Sequence, residues 1–244
     1  MTVLGAHRTV LRASAGPRIA GLLAGPRREV PVVHRGRDAV YVDLDGWCLG
    51  VVAGPAVRVP CALAVTSSMA LDGVTVVTVG DGALDLGGVG EVRVGRLVDT
   101  TVPKLQAPEQ STLSFLHTCA ETAAAELGDL VDHVATAPER LLGLGSGLTP
   151  LGDDVLAGWC AASYALGAPV TLPDARPRTT LLSATLLDCA QRGEVLPEFR
   201  ALVVALHGGD PDEVARTATS LAAVGHTSGS GLLLGACLRW EAAA

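Results

Sequence analysis

The residue pattern changes once along the chain, near residues 103–110, and this change constrains the fold more than any other feature. In residues 30–98, short runs of β-branched residues are separated by Gly, Pro and Asp. One run contains Asp45-Gly46 between apolar segments, which is the strongest short-range signal for a β-hairpin. We therefore expect a β-rich N-terminal domain over residues 1–105, built as an antiparallel sheet or a small barrel.

After this change the apolar residues follow helical spacing, which predicts a helical domain over residues 106–244. Asp210, Pro211 and Asp212 form a helix-start signal, because aspartate caps free N–H groups and proline suits the first helical position. The predicted class is α+β, with a β-rich sheet or small barrel followed by a mainly helical part that carries glycine-rich loops at helix starts. The candidate helices span residues 111–134 with an interruption at Gly128, 150–166, 179–192, 212–224 and 229–242.

The composition of the chain excludes several kinds of partner. Hydrophobic residues make up 49% of the 244 residues and charged residues 18%, which is typical of a globular protein. The net charge of −7 provides no broad positive field, so we expect no nucleic-acid partner. No stretch of about 18 residues is free of charges, polar groups and helix breakers, so we expect no membrane span and a cytoplasmic location. Six cysteines without a C-x-x-C pair favour buried, reduced thiols.

A first glycine loop, residues 143–149, precedes a predicted helix with Thr149 as its N-cap and Pro150 as its first residue. N–H groups at a helix start are unpaired and lie at the positive end of the helix dipole, so such a loop can hold a phosphate or carboxylate. A Gly-Lys-Ser/Thr sequence is absent, and so is a dinucleotide fingerprint, so no nucleotide cofactor is predicted. The alternative is a glycine turn that serves only tight packing.

Two adjacent acids, Asp153 and Asp154, follow in the first turns of the same predicted helix. Two carboxylates beside an anion loop repel each other and the anion unless a cation lies between them. A hydrated Mg²⁺ that bridges a carboxylate and a phosphate would resolve this conflict, so both acids are candidate metal ligands. The alternative is a pair of solvated acids that interact only with the helix dipole.

A second glycine loop, residues 225–229, shares a G-x-x-S-G frame with residues 143–147. Within it, His226 is placed to donate to a developing oxyanion or to transfer a proton, although a lone histidine is often a hydrogen-bonded part of the scaffold. We expect the two loops to face one shared cavity with His226 at its rim. The candidate catalytic residues are His226 and Asp154, and the candidate substrate-binding residues are Gly145, Ser146, Gly147, Thr149, Thr227, Ser228 and Gly229.

Three stretches taken in order resemble the AllH-type family, a subunit of oxamate carbamoyltransferase. They are "LLGLGSGLTPLGDDVLAG" from residue 141, "TTLLSATLLDCAQRGE" from residue 179 and "VGHTSGSGLLLGA" from residue 224. The resemblance covers residues 110–238. In the N-terminal half, only the general residue pattern is similar to that of the family. This chain has Ser146 and Leu151 where the family has Pro and Ser, and Gly231 near a position where the family has an acid, so a changed substrate or a degraded site is an open alternative.

The resemblance implies transfer of a carbamoyl group between carbamoyl phosphate and oxamate in allantoin-type purine breakdown. It also implies a hetero-oligomer with an acyl-CoA-synthetase-like subunit and one further subunit, although a homo-oligomer stays open. The Ser-Thr-Arg-Thr-Arg signature of ordinary carbamoyltransferases is absent, so the site would be built differently. The competing hypothesis is a non-catalytic scaffold or regulatory subunit that keeps a small-anion pocket while another chain performs the chemistry.

Overall fold

The computed structural model describes residues 9–243, and the contacts within the chain divide it into two units. The first unit ends at Asp99 and the second begins at Thr100. Strands dominate the first unit and helices the second, which confirms the predicted α+β class. Of the helices described, none is long and apolar enough to cross a membrane.

In the first unit, nine strands form one sheet in the order β2-β7-β8-β9-β1-β6-β5-β4-β3, and the sheet curls into a nearly closed, barrel-like shape. A short helix, α1 (Pro17–Leu22), follows the first strand. The strands are β1 Val10–Ala15, β2 Arg28–Val30, β3 Val32–Arg35, β4 Ala39–Asp43, β5 Cys48–Ala53, β6 Ala62–Val65, β7 Val77–Gly80, β8 Ala83–Asp85 and β9 Glu91–Leu97.

The expected antiparallel sheet is wrong for two of the strand pairs. β1 runs parallel to β9, and β5 runs parallel to β6, whereas the other pairs are antiparallel. Alternation of side chains along a strand is the same in both arrangements, so the local pattern does not set the direction of the neighbouring strand.

The predicted hairpin at Asp45-Gly46 is confirmed and joins β4 to β5. Both residues have a positive φ, 55° and 81°, as a two-residue type I′ turn requires. Leu44 and Trp47 close the turn with two backbone hydrogen bonds of 2.8 and 3.2 Å.

The second unit contains six α-helices among its described residues: α2 Gln110–Leu127, α3 Leu151–Ala165, α4 Leu181–Gln191, α5 Pro197–Gly208, α6 Pro211–Ala222 and α7 Ser228–Glu241. Five correspond to the predicted helices, and Asp210 caps α6 as expected by accepting from the N–H of Asp212 at 3.0 Å. Helix α5 was not predicted from the sequence, although Pro197 opens it and Phe199 and Leu202 bury one face.

Close packing between α3 and α7 positions the two helix starts. A methyl group on Gly158 of α3 would lie 1.9 Å from the carbonyl oxygen of Leu232, and one on Gly235 of α7 would lie 1.8 Å from that of Val155. Gly231, in the first turn of α7, lies against Leu151 at the start of α3. The first turn of α7 thus contacts the first turn of α3. The two helices therefore run in the same direction, and their N-termini lie side by side.

Candidate anion site at the starts of two helices

The two glycine loops are neighbours because the starts of α3 and α7 lie side by side. The hydroxyl oxygens of Thr149, in the first loop, and Ser228, in the second, are 2.9 Å apart and hydrogen-bonded. Neither helix start has a side-chain cap. Two positive dipole ends therefore meet at one place on the helical unit.

The first loop presents backbone donors to its surroundings. Gly145, Ser146, Gly147 and Leu148 are all exposed. Across residues 9–243, no protein acceptor takes the N–H groups of Ser146, Gly147 or Leu148. Gly147 has a φ of +92° and open space where a side chain would lie, so its conformation leaves the backbone accessible to a ligand.

Other loop glycines serve packing. A methyl group on Gly143 would lie 2.1 Å from the carbonyl oxygen of Arg178, and one on Gly229 would lie 1.8 Å from that of Leu221. The two loops therefore contain both kinds of glycine that the sequence allows, those that permit close packing and those that leave the backbone open to an anion. Gly143 and Gly229 are packing positions, whereas Gly147 is free of such a constraint.

The start of α3 differs by one residue from its prediction. The helix begins at Leu151, and Pro150, with extended backbone angles of −55° and 143°, is the residue before it. Thr149 therefore lies too far from the first turn to cap it. Its hydroxyl instead pairs with Ser228, and the start of α3 is closed by the backbone, because the N–H of Gly152 donates to the carbonyl oxygen of Leu144 at 2.9 Å.

Asp153 is a buried structural acceptor and not a solvated acid. Its carboxylate accepts hydrogen bonds from the N–H of Gly143 at 2.8 Å, from the Ser183 hydroxyl at 2.7 Å and from the Thr179 hydroxyl. Only 1% of the residue is exposed. Asp153 thus fastens the first loop to the start of α4, and its lone pairs are engaged by protein donors.

Asp154 is also buried, with 5% of its surface exposed, but its environment differs. The hydroxyls of Ser228 and Thr149 interact with its carboxyl group, whereas Oδ2 is buried and has no partner among the described residues. Burial raises the pKa of Asp154 to about 8, with a further contribution from the charge of Asp153. A buried carboxyl that gains or loses its proton near neutral pH is typical of acid–base chemistry.

The predicted pair of metal ligands does not fit this arrangement. Asp153 uses its oxygens for three hydrogen bonds, so only the free oxygen of Asp154 is open to a cation. The part of the chain that the structure describes has no group of three His, Cys, Asp or Glu side chains suited to a metal ion. A metal held by both acids would require Asp153 to give up its loop contacts.

His226 is exposed in the second loop, two residues before Ser228. Thr227 precedes the first residue of α7 without capping it through its side chain. The imidazole of His226 is therefore accessible from solvent on the loop that bears Ser228.

The residues whose hydrogen bonds hold the first loop in place were not predicted from the sequence. Thr179 and Ser183 bind Asp153, and the Thr180 hydroxyl donates to the carbonyl oxygen of Leu148 at 2.6 Å while it caps α4. All three lie in the second motif, where a Thr-Thr pair separated by two residues from a serine was the available signal.

A groove of about 1010 Å³ lies elsewhere on the helical unit, along residues 104–109 and the first turns of α2. None of the predicted site residues lines it. We place the candidate site at the loops because about half of the residues along the groove are exposed, whereas the loops lie beside a buried carboxyl group with one oxygen that has no partner among the described residues.

Comparison with known families bears directly on this region. Residues 141–240 match the model of the oxamate carbamoyltransferase subunit AllH. The AllH match begins at the first loop and covers nearly all of α7, so it includes both loops and the bracing segment. The resemblance inferred from the motifs is thereby confirmed for this stretch, which is less than half of the 244 residues. Neither a curated protein nor a solved structure matches the chain.

Proposed function

We propose that the helical unit binds carbamoyl phosphate, or a similar small anion, as part of an oxamate carbamoyltransferase-like enzyme in purine catabolism. The observation that carries the proposal is the unpartnered, buried carboxyl oxygen of Asp154 beside two helix starts that have no side-chain cap. The AllH match, which names a subunit of oxamate carbamoyltransferase, supports the choice of this reaction. The proposed partners are an acyl-CoA-synthetase-like subunit and one further subunit.

The charges around the loops favour a small anion. Among the described residues no acceptor takes the N–H groups of Ser146, Gly147 and Leu148, and two helix dipoles direct their positive ends to the same place. Two anion positions side by side suit a reaction that holds a phosphorylated donor and a carboxylate acceptor together. Thr227, Ser228 and Gly229 lie at the α7 side of this place, and Thr149, at the α3 side, is hydrogen-bonded to Ser228.

Carbamoyl transfer requires a proton carrier as well as an anion site. A bond forms between the carbamoyl carbon and the acceptor nitrogen, the bond to the phosphate oxygen breaks, and the nitrogen loses a proton. Asp154 has a free oxygen and a pKa raised to about 8, so its ionised form takes this proton and passes it toward the leaving phosphate. His226, on the exposed side of the second loop, donates a hydrogen bond to the negative charge that develops on the carbamoyl oxygen.

The function is tested by mixing the chain with carbamoyl phosphate and oxamate, alone and with the two proposed partner subunits. We expect phosphate release and a carbamoylated product that both depend on this chain, and we expect His226→Ala to lower turnover by about 100-fold or more while phosphate affinity changes little. His207→Ala, another exposed histidine, serves as the matched control.

Equal losses of turnover and phosphate affinity in His226→Ala would make the histidine a binding residue. Full turnover with the Asp154→Asn variant would favour the scaffold hypothesis, in which this subunit holds an anion and another chain performs the reaction.

A magnesium ion is part of the proposal only through Asp154, since Asp153 is engaged. Mg²⁺ bound there would keep the carboxyl group ionised and would neutralise charge on a phosphate, so it would replace the proton-carrying role of Asp154 and not accompany it. We expect Mg²⁺ to tighten phosphate binding to the natural chain and to have no effect on Asp154→Asn, as measured by titration calorimetry. An equal response of both proteins to Mg²⁺ would exclude Asp154 as its ligand.

A further inference from the structure

The hydroxyl of Ser228 lies in the setting of an activated nucleophile. It is the first residue of α7, it is partly exposed, and its oxygen is 2.9 Å from that of Thr149. The carboxyl group of Asp154 interacts with the same hydroxyl. A serine beside a buried carboxyl group, whose ionised form accepts a proton, and beside a second orienting hydroxyl has the arrangement that general-base activation requires.

We propose that Ser228 is a covalent nucleophile that carries the carbamoyl group between donor and acceptor. This inference rests on the proposed function and adds to it a two-step course, because direct transfer between two bound substrates would need no nucleophile from the protein. The geometric support is the joint contact of Ser228 with Thr149 and Asp154, together with the free oxygen of Asp154.

In the first step, Oγ of Ser228 attacks the carbamoyl carbon of carbamoyl phosphate. The bond from that carbon to the phosphate oxygen breaks, and inorganic phosphate leaves. The Ser228 proton passes to Asp154 and from there to the phosphate oxygen, so the carboxylate is regenerated. The free N–H groups of the first loop hold the phosphate during this step.

In the second step, the acceptor nitrogen attacks the carbamoyl carbon of carbamoyl-Ser228. The bond from that carbon to Oγ breaks, and the nitrogen proton passes through Asp154 to Oγ. The serine hydroxyl is restored and the product is the carbamoylated acceptor. No oxidant, reductant or further reactant is consumed, because one proton is moved in each step and returned.

Thr149 is a positioning residue in this scheme. Its hydroxyl bonds to Ser228 and interacts with Asp154, so it holds the serine oxygen beside the carboxyl group. Thr149→Val keeps the shape of the side chain and removes this hydrogen bond. We expect it to lower kcat by about tenfold with little change in phosphate affinity.

The decisive experiment measures exchange of radiolabelled inorganic phosphate into carbamoyl phosphate without oxamate, in the preparation that shows turnover. A covalent carbamoyl-Ser228 predicts exchange, whereas direct transfer allows none. Ser228→Ala should lower exchange and turnover by about 1000-fold or more while it still binds inorganic phosphate, which shows that it is folded. Ser220→Ala, on the exposed face of α6, is the matched control.

Mass spectrometry of the rapidly denatured protein should find one carbamoyl group on the peptide that contains Ser228. Cyanate released from carbamoyl phosphate labels amines, and the chain has a single lysine, Lys104, so peptide mapping separates the two reactions. Turnover without exchange and without a labelled Ser228 would overturn the nucleophile and leave the proposed function intact. Absence of turnover with every partner combination would overturn the proposed function, and the nucleophile with it.

Discussion

A Gly235→Ala variant is expected to lose at least about 3 kcal/mol of unfolding free energy in the helical unit. The added methyl group would lie 1.8 Å from the carbonyl oxygen of Val155 and 2.8 Å from the backbone nitrogen of Trp159. Both atoms belong to the backbone of α3, so no flexible side chain can move aside. The two helices must separate, and the core between them loses its close packing. Urea unfolding followed by helical circular dichroism measures the loss.

Gly208→Ala is the matched control for this prediction. Gly208 is the last residue of α5 and has open space where a side chain would lie. Alanine is a better helix former than glycine, so this variant should be unchanged or more stable by up to about 1 kcal/mol. If both variants unfold at the same urea concentration, α3 and α7 do not approach each other as closely as the contacts of Gly235 require.

Separation of α3 and α7 would also act on the site. The bond between Thr149 and Ser228 depends on the two helix starts lying side by side, and Gly158 and Gly235 set that spacing. Any Gly235→Ala protein that stays folded should therefore lose phosphate affinity, even though no atom of Gly235 touches the loops.

Features of the fold that depend on neighbours in sequence were predictable. Asp45-Gly46 forms its hairpin because the turn needs two positive φ values, and Asp210 caps α6 because its side chain reaches a free N–H group two residues away. The parallel pairing of β1 with β9 was not predictable in this way. It joins strands far apart in the sequence, and nothing in either strand sets the direction of its partner.

In the candidate site, too, features set by neighbours in sequence were predictable and features set by tertiary packing were not. The glycines and hydroxyls before each helix indicated anion-binding loops, and the repeated G-x-x-S-G frame suggested that the loops lie together. The burial of Asp153 and Asp154 could not be inferred, because it arises from α4 and α7, which pack over the start of α3. From the local sequence alone, two acids at a helix start are expected to be solvated. Tertiary packing buries both and gives them different hydrogen-bond partners.

The two adjacent acids should therefore respond to substitution in opposite directions. Asp153→Ala leaves three donors, on Gly143, Thr179 and Ser183, without their acceptor. Each buried donor without a partner costs about 1–3 kcal/mol, so we expect a loss of about 3–5 kcal/mol and disorder in the first loop. Thermal unfolding and protease susceptibility near residue 145 measure these effects.

Asp154→Asn should stabilise the protein at neutral pH while it lowers turnover by about 100-fold or more. The pKa of Asp154 is raised from its ordinary value of 3.8 to about 8 by burial. Below the lower value both folded and unfolded states hold the proton, and stability is complete. As the pH rises toward 8, the unfolded state releases this proton while the folded state retains it, so the natural protein loses stability. Asparagine cannot ionise and avoids this loss.

The difference in unfolding free energy between Asp154→Asn and the natural protein should thus grow between pH 4 and pH 8, with a magnitude on the order of a few kcal/mol, and then level off. Urea unfolding at a series of pH values measures it. A difference that does not change with pH, or a variant as unstable as Asp153→Ala, would mean that Asp154 is ionised in the folded protein and held there by hydrogen bonds, as Asp153 is. In that case it would hold the loops in place and carry no proton.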